Sequence, residues 1–382
     1  MAKETRAPSR PVVVAVPARN EEDRIAACIE ALDNQVGARA DHVVLLLNNC
    51  TDRTAAIARA LSETISTKLH VLELELPVEK ANAGHARLLA LDAAYKIAGD
   101  TGILLTTDAD GRVDEDWIEA NVAAIAAGAE AVAGWAELDP VDWGSIPLRL
   151  HEDDARECVY DALCDELHSR IDPDMIDPWP RHTQASGASI AVTARAYRAA
   201  GGIPNIPCGE DRAFLTALRL LDVRIRHAPE CRVVVSGRSE GRAVGGMADT
   251  IRRRLDAPDR YLDERLEPAE DCARRAALRW LARLVYEKKC PPNALCGNLG
   301  LTVSAVTSAM VEPHFGMAWA KLEATSMRLE RRRVLTADVD LQQVVAKKIL
   351  ANACLDVMAC RRALLLLKLD APMSARAAPV TD

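Results

Sequence analysis

The chain has 382 residues, 49% hydrophobic and 27% charged, which predicts one large domain plus a smaller one and excludes a disordered chain or a coiled-coil rod. Its net charge is −8, so a general nucleic-acid binder is not expected. The charge is uneven: 26 Lys+Arg against 40 Asp+Glu in residues 1–250, a net −14, then 22 against 16, a net +6.

Residues 1–10 read as a flexible N-terminus without an apolar leader, so a cytoplasmic protein is expected, with docking at the inner membrane face left open. A β-branched run between Pro11 and Pro17 predicts a buried strand. Asn20 is placed to cap a helix with Glu21, Glu22 and Asp23 in its first turn and an apolar stripe of Ile25, Cys28, Ile29 and Leu32. Residues 42–48 read as a second strand, and Thr51 or Asp52 as the cap of a helix reaching 60. A strand at 69–76, a helix at 84–97, a strand at 102–107, a helix at 117–127 and a strand at 129–138 follow. Strand and helix in strict alternation predict right-handed crossovers and a parallel sheet.

The pattern changes near residue 140. The acidic stretch 151–177 predicts a helix and then a loop, as a solvated face, a lid or an acceptor-binding segment. A strand at 187–193, helices at 194–200 and 211–221, and short strands at 223–227 and 231–236 complete an α/β domain over residues 11–250. Residues 251–370 read as a helical region that packs on the domain, forms a homodimer or recognises an acceptor. Residues 371–382 read as a disordered tail. No stretch reaches the roughly 20 apolar residues of a membrane span, so no transmembrane segment is predicted. Eleven scattered cysteines, an odd number, predict reduced thiols.

Ligands of open parallel sheets sit beyond the carboxyl ends of the strands. Three of those ends are polar: Pro17-Ala18-Arg19-Asn20-Glu21, Asn48-Asn49-Cys50-Thr51-Asp52 and Asp108-Ala109-Asp110. Two carboxylates one residue apart, after the buried run ILLTT, can grip one hard divalent cation, Mg²⁺ or Mn²⁺. An Asp-rich turn capping the helix at 117 is the alternative. Glu210-Asp211 opens a helix after Gly209, where one carboxylate can take a proton from an attacking hydroxyl. Arg238 and Arg242, in a glycine-bearing loop, offer positive charge to developing negative charge on a ligand. His227 is a further candidate metal ligand, and Trp179 and His182 are candidates for stacking on a ligand ring or for the core. No Gly-x-Ser-x-Gly or P-loop pattern is present.

The segments VVVAVPARNEEDRIAACIEAL, VVLLLNNCTDRTAAIAR, ILLTTDADGRVDEDWIEAN, GASIAVTARAYRAAGGI and GEDRAFLTALR, in this order, resemble the GT-A fold glycosyltransferases of family 2. The resemblance spans about residues 10–250. It implies an α/β fold, a mostly parallel sheet flanked by helices with an α-helical C-terminal region, and a nucleotide-sugar donor whose acceptor is unknown. It implies that Pro17, Ala18, Asn20 and Glu21 lie against the nucleotide and that His85 and Arg87 lie near the donor. Asn48 and Asn49 replace the family's acidic pair, while Asp52 matches a later aspartate, so the base is left open. Asp108 and Asp110 match the metal motif, Asp211 the general base of inverting members, and Glu210 a supporting position. A retaining transferase of the glucosyl-3-phosphoglycerate synthase type, or a noncatalytic nucleotide-sugar-binding protein, is the alternative.

Overall fold

The computed structural model describes residues 10–238, 241 and 245–366. Most of the N-terminal segment, the tail at 371–382 and Arg242 lie outside the described residues. The strands are β1 (Val12–Ala18), β2 (His42–Asn48), β3 (Lys68–Leu74), β4 (Ile103–Thr106), β5 (Arg112–Val113), β6 (Ala131–Leu138), β7 (Ile190–Thr193) and β8 (Ile225–Val235). The helices of the first half are α1 (Ile25–Asp33), α2 (Thr54–Ser62), α3 (Ala83–Ala98), α4 (Trp117–Ala126), α5 (Pro140–Trp143), α6 (Leu148–Ile171), α7 (Ala194–Ala199) and α8 (Glu210–Leu220). Those of the second are α9 (Met247–Asp256), α10 (Ala269–Tyr286), α11 (Asn293–Leu299), α12 (Val303–Ala309), α13 (Phe315–Thr325), α14 (Val339–Leu355) and α15 (Val357–Leu366).

The eight described strands form one sheet in the order β3-β2-β1-β4-β7-β6-β8-β5. Successive residues of β1 serve opposite faces, as the pleat requires. Val12, Val14 and Val16 pack with Ile25, Cys28, Ile29 and Trp117 beneath α1 and α4. Val13 and Ala15 pack with Ala86, Ala90, Leu91 and Phe214 beneath α3 and α8. Burial on both faces explains why β1 and β2 read as unbroken apolar runs.

The strands expected to alternate with helices, β1, β2, β3, β4 and β6, all run in one direction, as a mostly parallel sheet requires, while β7 runs antiparallel to both β4 and β6, and β5 antiparallel to β8. The link from β6 to β7 passes through α5 and α6 instead of one crossover helix, so the right-handed βαβ rule does not govern it. The strands expected at 223–227 and 231–236 are one, β8, interrupted by a bulge opposite Gly134 and Trp135. Helix α1 begins at Ile25, not at Asn20. Asn20 has φ 54°, and the N–H groups of Glu21 and Glu22 go to Thr54 Oγ1 (2.8 Å) and Asp52 Oδ2 (3.1 Å), so these residues bind the next loop rather than a helix.

The acidic segment forms the expected helix and following loop: Glu152, Asp154 and Arg170 of α6 face water, while Tyr160, Leu167 and Ile171 are buried against α10, α14 and α15, with Ala273, Ala277, Ala346 and Leu350 opposite. By packing it belongs with the helices that follow residue 250. A second helical core joins α10 to α11, α12 and α13. This region meets the α/β domain at the end of α8, where Asp222 accepts the N–H groups of Phe315 (2.6 Å) and Gly316 (2.8 Å).

Candidate active site

The central strands β1 and β4 run parallel and end together, which brings Glu21 and the Asp108-Ala109-Asp110 turn to one edge. Arg87, from the second turn of α3, reaches that edge from below. It is 5% exposed, and its guanidinium donates in four directions: to Glu210 Oε1 (2.9 Å), Thr106 Oγ1 (2.9 Å), the carbonyl of Gly187 (2.8 Å) and Asp108 Oδ1 (2.6 Å). Only a planar fork of donors can do this. A Cβ on Gly187 would stand 2.6 Å from Arg87 Cζ, so glycine there is what admits the guanidinium. Asp108 and Glu210 raise the Arg87 pKa, although burial works the other way. Arg87 thus joins the Asp-Ala-Asp turn to the start of α8 and faces protein on every side.

Asp110 lies at the other end of this line. Arg238 bridges it (3.0 Å) to Glu21, which it grips with two hydrogen bonds of 2.7 and 2.6 Å. Burial first, then Asp108, pushes the Asp110 carboxyl up to about 6, with Arg238 opposing. Three carboxylates therefore crowd a partly buried place, which favours a cation. Asp108 Oδ2 has no protein partner among the described residues, and its side chain is 35% exposed. Hard carboxylate oxygens of this kind suit Mg²⁺ or Mn²⁺. Among the described residues no group of three or more His, Cys, Asp or Glu could hold a metal unaided. Asp108 and Asp110 would leave the remaining positions to water and phosphate.

On the far side, Gly209 has φ 75°, a left-handed conformation that lets the chain turn into α8. Glu210 then points inward at 5% exposure onto Arg87. Asp211 Oδ2 accepts the N–H of Gly187 (2.7 Å) and Oδ1 that of Arg212 (2.7 Å). Each oxygen keeps a second lone pair for a hydroxyl. Gly187 is therefore shared, its N–H held by Asp211 and its carbonyl by Arg87.

The remaining predicted residues surround this core. Pro17 and Ala18 end β1. Asn20 Oδ1 accepts the N–H of Thr51 (2.8 Å). Asn49 pairs through its amide with both backbone groups of Leu76 at 3.0 Å, and Asn48 Oδ1 is buried without a partner among the described residues. Asp52 accepts from Thr54 N (3.0 Å) and Oγ1 (2.6 Å), so it ties the loops together and starts α2. His85 takes the cap bond of Asn82 and lies 2.9 Å from Asn205 Oδ1.

His227 does not reach the Asp-Ala-Asp turn. It is level with Thr106 across the sheet but three strands over, about 14 Å away. Both its ring nitrogens are engaged, by Asp177 and Arg219. His182 is 4% exposed and packs edge-on to Trp135, a core position. Gly187 and Thr106 were not anticipated as site residues. The Gly-Ala-Ser stretch was the only signal for the first, and nothing in the sequence marks the second.

Residues 13–184 match the family description "Glycosyl transferase family 2". No curated protein sequence matches the chain. Among solved structures, S. aureus TarS 1-349 in complex with UDP-GlcNAc is similar at 16% identity and a TM-score of 0.47, over 90% of this chain and 91% of that one. Glucosyl-3-phosphoglycerate synthase from Mycobacterium tuberculosis, in complex with Mn²⁺, UDP and phosphoglyceric acid, shows 22% identity and a TM-score of 0.41, over 64% and 77%. The mannosyltransferase PcManGT from Pyrobaculum calidifontis, in complex with GDP-Man and Mn²⁺, shows 18% and 0.44, over 94% and 82%.

Proposed function

We propose, for a chain that belongs to glycosyl transferase family 2 through residues 13–184, that it moves a sugar with inversion from a nucleoside diphosphate to an acceptor hydroxyl. The observation that carries this reading is the continuous line Asp110, Arg238, Glu21 on one side and Asp108, Arg87, Glu210 and Asp211 on the other. This line supports a reading with the diphosphate at the Asp108 and Asp110 end and the base at Asp211.

Inversion needs the acceptor oxygen to attack the anomeric carbon opposite the leaving diphosphate while a base takes the hydroxyl proton. Asp211 is that base. Its two backbone hydrogen bonds fix the carboxylate, so little reorganisation accompanies proton transfer. Glu210 acts through Arg87 by anchoring the first turn of α8. Mg²⁺ or Mn²⁺ held by Asp108 and Asp110 would supply a Lewis acid for the departing diphosphate. Arg238 adds a fixed positive charge at the same edge. Pro17, Ala18, Asn20, Glu21, Asn49 and Asp52 form the wall for the nucleotide, with His85 at its margin. None of the described helices is long and apolar enough to cross a membrane.

A panel of UDP-, GDP- and dTDP-sugars with and without Mn²⁺ tests this, with Asp108→Asn and Asp211→Asn alongside. One donor should release nucleoside diphosphate only with metal. Asp108→Asn should lose that release, and Asp211→Asn should bind donor but turn over at least 100-fold more slowly. Full turnover by Asp211→Asn would point to the retaining alternative. Donor binding without turnover under any condition would point to a binding protein.

A further inference from the structure

Two arginines reach the Asp-Ala-Asp turn, and they are held differently. Arg87 bonds a backbone carbonyl, a threonine and two carboxylates, and its side chain is 6% exposed. Arg238 stands just after β8, and its side chain is 21% exposed. Among the described residues its guanidinium bonds carboxylates alone: Nη1 to Glu21 Oε2 at 2.7 Å, and Nη2 both to Glu21 Oε1 at 2.6 Å and to Asp110 Oδ2 at 3.0 Å. Its backbone is pinned, since the N–H groups of Gly237 and Arg238 donate to Asp142 Oδ2 (2.7 Å) and Ser236 Oγ (3.3 Å). The guanidinium can therefore turn about its side-chain bonds while the chain that carries it stays in place.

Nitrogen Nη2 of Arg238 stands between two carboxylates, as a metal ion would. Asp108 Oδ1 is taken by Arg87, so each of the three acids at this edge already has a guanidinium on it. A divalent cation that arrives alone must displace Arg238 from Asp110 or stand beside it, and like charges so close in a partly buried place repel strongly. Arg87 cannot give way, because its bonds to Glu210, Thr106 and Gly187 are buried. Arg238 can, at Asp110 only: that bond is single and the longest of its three, whereas the grip on Glu21 is double. A diphosphate changes the balance. It gives Nη2 another oxyanion to bond, and it puts negative charge between the guanidinium and a metal ion.

We infer that Arg238 is a tethered stand-in for the divalent cation. In the free protein it neutralises Asp110 and keeps metal from binding alone. A nucleoside diphosphate draws Nη2 away from Asp110, and metal and nucleotide then bind together. Glu21 keeps the arginine at the edge throughout. The inference rests on the metal reading of Asp108 and Asp110 above. It makes the coupling between the two ligands a property of one side chain, and that coupling is reciprocal.

The test titrates Mn²⁺ into the full chain at constant ionic strength and reads free Mn²⁺ by its electron paramagnetic resonance signal. It is run without nucleotide and with saturating UDP, or GDP where UDP does not bind, against a nucleotide-only control. Wild type, Arg238→Gln and Arg238→Lys are compared, with melting temperatures to show that each is folded. Arg24→Gln serves as the charge control, because Arg24 pairs with Asp139 and Asp142 at the same edge and does not touch Asp110. Without nucleotide, Arg238→Gln should bind Mn²⁺ about tenfold or more tightly than wild type, while Arg238→Lys and Arg24→Gln stay closer to wild type. The gain that nucleotide gives should shrink by a similar factor in Arg238→Gln, and adding Asp110→Asn should abolish the tighter binding. Equal Mn²⁺ affinity of wild type and Arg238→Gln overturns the inference, as does an equal gain in Arg24→Gln or a gain that survives Asp110→Asn. If wild type binds Mn²⁺ with nucleotide and Arg238→Gln changes nothing, this inference falls alone. If no variant binds Mn²⁺ even with nucleotide, the metal reading falls with it. Neither arm depends on turnover or on the acceptor.

Discussion

Replacing Arg87 by Met should destabilise the protein more than any other single change at the site. Glu210 would lose its ion-pair partner at 5% exposure, and an uncompensated buried charge costs about 3–5 kcal/mol. The Gly187 carbonyl and Thr106 Oγ1 would each lose a donor, adding about 1 kcal/mol apiece. Asp108 is open enough for water to replace the contact, so it adds little. The sum is about 5–7 kcal/mol. The double variant Arg87→Met/Glu210→Gln removes the stranded charge and should recover about 2–3 kcal/mol of that. Equilibrium urea unfolding of wild type, the single and the double variant measures all three. The reasoning fails if Arg87→Met lies within about 1 kcal/mol of wild type, or if the double variant is no more stable than the single one.

Two further results should follow. Gly187→Ala should push the Arg87 guanidinium off Asp108 and disturb the N–H that holds Asp211, so donor turnover should drop at least tenfold while UDP still binds, as read by release and binding assays. Asp177 is held at about 2 because, against burial, its hydrogen bond and attraction to His227 and its attraction to Arg181 favour the anion. A depressed carboxyl pKa gives stability that is full above pH 4 and lost as the pH falls through about 2, about 2 kcal/mol in all. The stability gap between wild type and Asp177→Asn should therefore narrow as unfolding is measured from pH 5 down to pH 2.

The legible part of the structure was what depends on near neighbours in the chain. Burial on both faces shows as unbroken runs in β1 and β2, and the edge formed by Glu21, Asp108 and Asp110 follows once the strands are placed side by side. What escaped depends on partners far apart in the chain. The direction of β7 is set by a detour through α5 and α6. Arg87 could be placed near the donor from its segment, but its fourfold role needs Gly187 and Glu210, which lie 100 and 123 residues away. The Asp177–His227–Arg219 line draws on a loop, a strand and a helix, none with a motif. Asn20 failed as a cap because a contact with the next loop outweighed a local preference that is worth only about 1 kcal/mol.

The position of α6 in the chain has a consequence for synthesis. Its apolar face is made early, but α14, one of the helices that cover it, ends at Leu355, 184 residues after Ile171. At roughly 5–20 residues per second, that is about 10–40 seconds during which Tyr160, Leu167 and Ile171 lack their full set of partners, with α10 arriving first and α14 last. The sheet is interrupted by the same segment, since β7 and β8 follow it. Ribosome-bound chains halted before residue 339 should therefore hold an exposed helix face that completed chains lack, and a stalled or truncated product is the form in which this protein would aggregate.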